Sequence, residues 1–166
     1  EKMNANIKIK NLKKISGELV GTIVVSSSKL KPINVSRDIS KFIDELPILF
    51  VIAGLTEGVS KFKNIGDLKH KESDRLIESK KILVQVGIKC KTTKDSMIIY
   101  GKDKINTTKK SILTKTKGDH RICMSSLILS LATGINTKIK NFETVNTSFP
   151  GFISLIKSLG GKVEIK

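Results

Sequence analysis

A pattern of helices and strands occurs twice along this 166-residue chain, and the repeat restricts the fold more than any other feature. Residues 44–58 predict an apolar helix closed by glycine, and residues 59–65 predict an alternating strand. Residues 119–134 and 135–142 repeat this order 75 residues further on. Glycine suits the left-handed position that ends a helix, and period-two alternation is typical of a half-buried strand. The chain therefore contains a duplicated unit.

The first copy continues with a second helix and a hairpin. The helix is predicted from Ser73 to Val86, with Gly87 closing it. Residues 89–92 and 97–100 are then predicted as two strands joined by a short polar connection. The whole unit is predicted to run strand, helix, strand, helix, strand, strand.

The second copy repeats the second helix as well. Ser148 is the predicted N-cap, Pro150 lies in the first turn, and the helix continues to Leu159. Gly160 closes this helix 73 residues after the closing glycine of the first copy, and a strand is predicted at 162–165. Two similar offsets support a true duplication.

The ends of the repeats suggest a longer protein. Residues 3–9 resemble residues 159–165, so we expect the chain to begin at the end of a preceding unit and to be a fragment. Residues 21–26 are predicted as a hairpin partner strand, and residues 105–116 as a loop or irregular strand. The predicted organisation is the end of a preceding unit plus connecting strands at 1–43, and repeated helix–strand units at 44–100 and 119–166.

Composition excludes several classes of protein. The formal charge of +16 comes almost entirely from lysine spread along the chain, as in Lys8-Ile9-Lys10, and such alternation is typical of solvated strands. Aromatic residues make up 4% with no tryptophan, so few side chains could stack on bases and we expect no nucleic-acid partner. The apolar stretches at 46–55 and 127–132 are shorter than the roughly 20 residues of a membrane span, and no leader is apparent. We expect a soluble cytoplasmic protein with no membrane partner, in which Cys90 and Cys123 are reduced packing residues.

Arginine is the informative cation, because it occurs only at Arg37, Arg75 and Arg121. Its planar fork grips carboxylate or phosphate in a way that lysine cannot. Both histidines, His70 and His120, lie near two of these arginines in the sequence. The segments around Arg75 and Arg121 are therefore candidates for a functional site.

Three predicted helix starts carry polar groups, at residues 44–45, 71–75 and 119–121. Acidic residues there can be simple caps, but an arginine in a first turn conflicts with the helix dipole and suggests a bound anion. Repeated units would bring these helix starts to one end of the domain. Their polar side chains could then form a site for a phosphorylated, carboxylated substrate, or they could form an ordinary surface salt-bridge network. The candidate residues are Asp44, Lys71, Glu72, Arg75, His120 and Arg121.

Four segments resemble, in order and spacing, the signature segments of 5-enolpyruvylshikimate-3-phosphate synthases. They are Asp44-Glu45-Leu46-Pro47, Lys71-Glu72-Ser73-Asp74-Arg75-Leu76, Asp119-His120-Arg121-Ile122-Cys123-Met124-Ser125 and Thr147-Ser148-Phe149-Pro150-Gly151-Phe152. The resemblance extends over essentially the whole chain. Ser148 stands where some members have lysine, so the chain looks like the Thr-Ser-Phe-Pro (class II) branch.

This resemblance implies an α/β (α+β) fold of repeated βαβαββ units, an inside-out α/β barrel with helices inside and sheets outside. It also implies most of the C-terminal domain of a two-domain, monomeric enzyme, with the site in a cleft shared with the N-terminal domain. The implied substrates are phosphoenolpyruvate and shikimate 3-phosphate, with no metal and no cofactor. By itself the chain is expected to fold without turnover.

The resemblance also implies a role for each candidate residue. Asp44 would contact the substrate hydroxyls and act as base toward the 5-hydroxyl, and Glu72 would handle the proton at the methylene carbon. Arg75 and Arg121 would clamp phosphoenolpyruvate, and Lys71 would contact shikimate 3-phosphate and the departing phosphate. His120 would have either a supporting or a buried structural role.

Two other functions compete with this interpretation. UDP-N-acetylglucosamine enolpyruvyl transferases share the fold and chemistry, but the segments at 71–75 and 119–121 favour the shikimate enzyme. A basic polyanion-binding module is supported only by net charge. Salt-sensitive RNA binding that Arg121→Lys and Glu72→Gln leave unchanged would favour that module.

Overall fold

Strands and helices alternate in the structure, a computed structural model that describes residues 2–106 and 111–164. Two 3₁₀ helices lead toward the starts of α1 and α2, at Ile39–Glu45 and Gly66–His70, and a third at Phe142–Thr147 precedes α4. The other elements, in chain order, are β1 (Asn6–Ile15), β2 (Glu18–Ser26), β3 (Asn34–Val35), α1 (Leu46–Gly54), β4 (Gly58–Phe62), α2 (Arg75–Gln85), β5 (Lys89–Thr92), β6 (Met97–Gly101), β7 (Ser111–Lys115), α3 (His120–Thr133), β8 (Asn136–Lys140) and α4 (Phe152–Ser158).

The strand pairing confirms the repeat. β3 and β4 are parallel and flank α1, and β7 and β8 are parallel and flank α3. In the first copy β6 pairs antiparallel with both β4 and β5, so its sheet has the order β3-β4-β6-β5. The predicted hairpin at 89–92 and 97–100 is present as β5 and β6.

The interpretation of residues 105–116 as a loop or irregular strand is wrong for Ser111–Lys115. These residues form the regular strand β7, which pairs with β8 over its full length. Ile112 and Thr114 point inward and are buried, while Ser111, Leu113 and Lys115 face outward. Residues 107–110 of the predicted segment lie outside the described residues.

Two predicted helix ends share one hydrogen-bonding pattern. Gly87 has a φ of 84° and its N–H donates to Val84 O at 3.0 Å, while Ile88 N donates to Leu83 O at 3.1 Å. Gly160 has a φ of 90°, and it and Gly161 donate to Lys157 O and Ile156 O in the same way. This pair of bonds closes a helix on a residue in the left-handed region. Gly134, with a φ of 68°, ends α3 as predicted.

Three local predictions are corrected. Helix α1 already ends at Gly54, and Gly58 opens β4 instead, where a Cβ atom would lie 2.9 Å from the Pro32 ring. Ser148 is no N-cap, because it ends a 3₁₀ helix and α4 begins only after Gly151. The strand predicted at 162–165 is not formed at 162–164, and Ile165 lies outside the described residues.

The core places helices between sheets. Helix α1 is apolar around most of its circumference and packs against α2, α3 and β6. Phe50 of α1 is fully buried and meets Phe62 of β4 edge to face, with ring centroids 4.9 Å apart. A second cluster joins α3 and α4 through Cys123, Leu127 and Phe152. The central position of the helices agrees with the expected inside-out arrangement.

Both cysteines are free and buried, as predicted. Burial raises the pKa of the Cys90 thiol to about 11 and that of Cys123 to about 12. For Cys123 the nearby carboxylates Glu143 and Asp119 add to the effect of burial. A thiol is unreactive while protonated, so these side chains serve as packing residues.

The hairpin β1–β2 carries apolar side chains that the rest of the chain leaves exposed. Ile7 pairs with Val25 and Ile9 with Ile23, so the four lie on one face of the hairpin. Ile9, Ile23 and Val25 are each more than 60% exposed. A two-stranded hairpin is marginal without a covered face. No helix in the described part of the chain is both long and apolar enough to cross a membrane.

Candidate active site

The structure brings the starts of three helices together, and each supplies predicted site residues. Asp44 is the next-to-last residue of the 3₁₀ helix that leads into α1, and Lys71 and Glu72 lie in the connection that precedes α2. Arg75 is the first residue of α2, and Arg121 lies in the first turn of α3. Repeated units therefore converge at one end, as the sequence predicted.

Arg75 is the centre of this cluster. Its side chain is 1% exposed and its three nitrogen atoms donate to three different carboxylates. Nη1 donates to Asp44 Oδ1 at 2.8 Å, Nη2 to Glu72 Oε2 at 2.5 Å, and Nε to Asp119 Oδ2 at 2.9 Å. The negative charge that the sequence suggested for an arginine at this helix start is supplied by the protein itself.

Asp119 is the residue that sequence reasoning underestimated. The sequence predicts a helix cap here, and Asp119 is one: Oδ1 accepts from Arg121 N at 3.0 Å and from Ile122 N at 3.3 Å. Its second oxygen, however, accepts from both Arg75 Nε and Ser73 Oγ, each at 2.9 Å. The Asp119 side chain is fully buried. It thus ties the start of α2 to the start of α3.

Arg121 and Lys71 both contact the segment before α1. Arg121 Nη1 donates to the Asp44 backbone oxygen at 2.9 Å and to Glu45 Oε1 at 2.8 Å. Lys71 Nζ lies 3.1 Å from Asp44 Oδ1. Both cations are 29% exposed, so they remain accessible to a ligand. His120 is half-buried at the first residue of α3, and His70 is exposed at the end of a 3₁₀ helix.

The exposure of the cluster is graded. Asp44 and Glu72 are 45% and 48% exposed, whereas Arg75 and Asp119 below them are buried. A surface salt-bridge network, the alternative considered from sequence, does not describe an arginine buried to this extent. Two half-exposed carboxylates with Lys71 and Arg121 beside them could exchange protons with a ligand and hold its negative groups. In residues 2–106 and 111–164, no three His, Cys, Asp or Glu side chains are placed to hold a metal ion.

The pKa of Asp44 lies below its ordinary value of 3.8, chiefly because Lys71 donates a hydrogen bond to the carboxylate. The positive charges of Lys71, Arg121 and Arg75 add to this effect, against the opposing effect of burial. A carboxylate with a lowered pKa in the folded state contributes stability above its unfolded pKa. That contribution is lost as the pH falls through the lower, folded value.

Replacing Lys71 with methionine should therefore raise the pKa of Asp44 toward 3.8, because the first cause of its depression is removed. A titration of the Asp44 side-chain carboxyl carbon by NMR measures this directly. The control is Lys69→Met, which removes a lysine that forms no ion pair in the described residues. An unchanged Asp44 midpoint in Lys71→Met would contradict the assignment.

The fold and the convergence of helix starts define the class. The enolpyruvyl transferase NikO from Streptomyces tendae superimposes with a TM-score of 0.65 over 97% of this chain and 34% of that chain, at 14% identity. The fold is that of the enolpyruvyl transferases. A solved EPSP synthase from Acinetobacter baumannii is more similar, with a TM-score of 0.88 at 32% identity, over 99% of this chain and 38% of that one.

Sequence comparison then gives the family. The model of the family described as EPSP synthase (3-phosphoshikimate 1-carboxyvinyltransferase) matches residues 1–156. The chain belongs to the EPSP synthase family. The 3-phosphoshikimate 1-carboxyvinyltransferase of Clostridium tetani is 38% identical over 95% of the chain, and that of Paramagnetospirillum magneticum is 35% identical over 98%. The chain spans 36% of the length of each. Membership of the Thr-Ser-Phe-Pro branch stays a prediction.

Proposed function

We propose that these 166 residues are most of the C-terminal domain of a two-domain enzyme, and that an N-terminal domain completes its site. The curated relatives are about three times longer than the chain, which covers 36% of them. The exposed apolar face of the β1–β2 hairpin is the kind of surface that further chain would cover. We include in the proposal that the whole enzyme acts as a cytoplasmic monomer.

The proposed reaction transfers the enolpyruvyl group of phosphoenolpyruvate to the 5-hydroxyl of shikimate 3-phosphate. The 5-hydroxyl gives up its proton as its oxygen bonds to the central enol carbon, and a proton is added to the methylene carbon, which becomes a methyl group. The bond from the central carbon to the phosphate oxygen then breaks, and the methyl group gives up a proton to restore the methylene. The products are 5-enolpyruvylshikimate 3-phosphate and phosphate.

The observation that carries this proposal is the pair of half-exposed carboxylates, Asp44 and Glu72, held by one buried guanidinium. Addition and elimination need one group to accept the hydroxyl proton and another to protonate and deprotonate carbon. Asp44, kept ionised by its cationic neighbours, suits the first role, and we assign the second to Glu72. Lys71 and Arg121 are accessible cations for the substrate phosphates and carboxylate. His120 is assigned a supporting position.

Phosphate release tests this function in the full-length protein. We expect release with phosphoenolpyruvate and shikimate 3-phosphate, and a loss of about 100- to 10,000-fold in Glu72→Gln, the range typical of general acid–base groups. The matched control is Glu57→Gln, an exposed glutamate between α1 and β4, which should keep full activity.

Two outcomes would contradict the proposal. Release with the UDP-sugar instead of shikimate 3-phosphate would assign the chain to the related transferases, and release with neither would remove the enzymatic function. Turnover by the 166-residue chain alone would contradict the shared site.

A further inference from the structure

Asp119 is a buried carboxylate to which the proposed chemistry gives no role. Its side chain is 0% exposed, so no substrate group reaches it on the surface. A charge is expensive to bury unless it is paired and hydrogen-bonded. Asp119 accepts four hydrogen bonds, from Ser73 Oγ, Arg75 Nε and two backbone N–H groups of α3. Its position thus fixes several groups at once.

We propose that Asp119 is a positioning residue that sets the geometry of the phosphoenolpyruvate-binding arginines; this inference rests on the proposed function. It holds Arg75 through one carboxylate oxygen and the first turn of α3, which carries Arg121, through the other. One side chain therefore fixes two cations that belong to two different repeated units. The distance between two arginines decides which anion they can grip together.

The three partners of Arg75 differ in how easily a ligand can replace them. Asp44 and Glu72, on Nη1 and Nη2, are 45% and 48% exposed, whereas Asp119 on Nε is buried. An arriving carboxylate or phosphate can compete with the two outer partners but not with the inner one. Arg75 thus keeps its place while its outer hydrogen bonds exchange, and the released carboxylates become free for proton transfer.

This arrangement also reconciles a buried arginine with the binding role that the family resemblance implies for Arg75. Held by Asp119, the guanidinium keeps its Nη edge directed toward the exposed carboxylates. The binding edge is preorganised, so little side-chain entropy is lost when a ligand takes the place of a carboxylate. Without Asp119, the guanidinium loses its only buried anionic partner among the described residues.

The kinetic test is Asp119→Asn in the full-length protein. Asparagine keeps an oxygen for the N–H groups of α3 but loses the charge and the second acceptor oxygen. We expect KM for phosphoenolpyruvate to rise about 10- to 100-fold, as for loss of a hydrogen bond between charged groups. KM for shikimate 3-phosphate should change by less than about threefold, because its predicted contacts lie on Lys71 and Asp44.

The matched control is Glu78→Gln. Glu78, which lies on α2, is also a buried carboxylate and is only 4% exposed. It pairs with Lys81 and Lys117 outside the cluster. The same chemical change there should leave KM for phosphoenolpyruvate unaltered. Ser73→Ala, which removes one donor to Asp119 without changing charge, should raise that KM by about 2- to 5-fold. If Asp119→Asn fails to fold, the KM of Ser73→Ala for phosphoenolpyruvate still tests the inference.

A second readout on the 166-residue chain needs no turnover. The chain has three arginines, so the Nε–H resonance of Arg75 can be assigned by comparison with Arg37→Lys and Arg121→Lys. Hydrogen exchange of this buried N–H should be slow in the wild type and at least about tenfold faster in Asp119→Asn. Unchanged exchange, or an unchanged KM for phosphoenolpyruvate in a folded variant, overturns the inference. Absence of wild-type turnover would overturn the proposed function instead and leave the exchange result to decide.

Discussion

Replacing Arg75 with methionine is expected to lower the free energy of unfolding of the chain by about 3–5 kcal/mol, the cost of breaking a buried ion pair. Arg75 is 1% exposed and its partner Asp119 is 0% exposed, so the variant leaves an uncompensated carboxylate in the interior. The half-exposed partners Asp44 and Glu72 contribute far less, because water takes the place of the lost guanidinium. Urea denaturation followed by circular dichroism measures the change.

Two further variants sharpen this prediction. Arg37→Met removes an arginine that is exposed, and its effect should stay within about 0.5 kcal/mol. The double variant Arg75→Met with Asp119→Asn should be more stable than Arg75→Met alone, because it removes the buried charge that was left unpaired. A loss below about 1 kcal/mol in Arg75→Met would show that the cluster is not a buried ion pair in solution.

Replacing Phe50 with alanine should cost about 3–5 kcal/mol through lost burial and the cavity left behind. Phe50 is fully buried in α1 and packs edge to face on Phe62. For a chain of this size, each kcal/mol lowers the melting temperature by about 2–4 °C. Differential scanning calorimetry should record a fall of about 6–20 °C, since the core between α1 and β4 is opened.

Phe149→Ala is the matched control for this core substitution. Phe149 stacks at a tilt on Phe152 with centroids 5.3 Å apart, but its side chain is 42% exposed. Its removal should cost about 1 kcal/mol or less, because water already reaches the ring. Equal losses in the two variants would mean that α1 is not the centre of the core.

The repeat could be predicted from sequence because its signals are local. A helix that ends at Gly87, Gly134 or Gly160 needs a left-handed residue at its end, and glycine meets that need at the least cost. The hairpin of β5 and β6 likewise follows from short alternating strands around a polar turn. The prediction of Ser148 as a helix N-cap was wrong, because a serine also suits the end of a 3₁₀ helix.

The site was predicted only in part, for a different reason. Helix starts of a repeated unit lie at one end of a domain, so the meeting of residues 44, 71–75 and 121 could be anticipated. The bond between Arg75 and Asp119 could not, since it joins residues 44 positions apart and depends on the depth of both side chains. An aspartate before a helix has an adequate local explanation as a cap, and no pattern indicates its second partner.

Several polar bonds at this cluster join the two repeated units, beside the Glu78–Lys117 ion pair and the two hydrogen bonds between Gln85 and the backbone of Leu113. Arg75 of the first unit needs Asp119 of the second, and Arg121 of the second needs Asp44 and Glu45 of the first. A polypeptide cut between β6 and β7 would therefore give two pieces that recognise each other through complementary halves of one site.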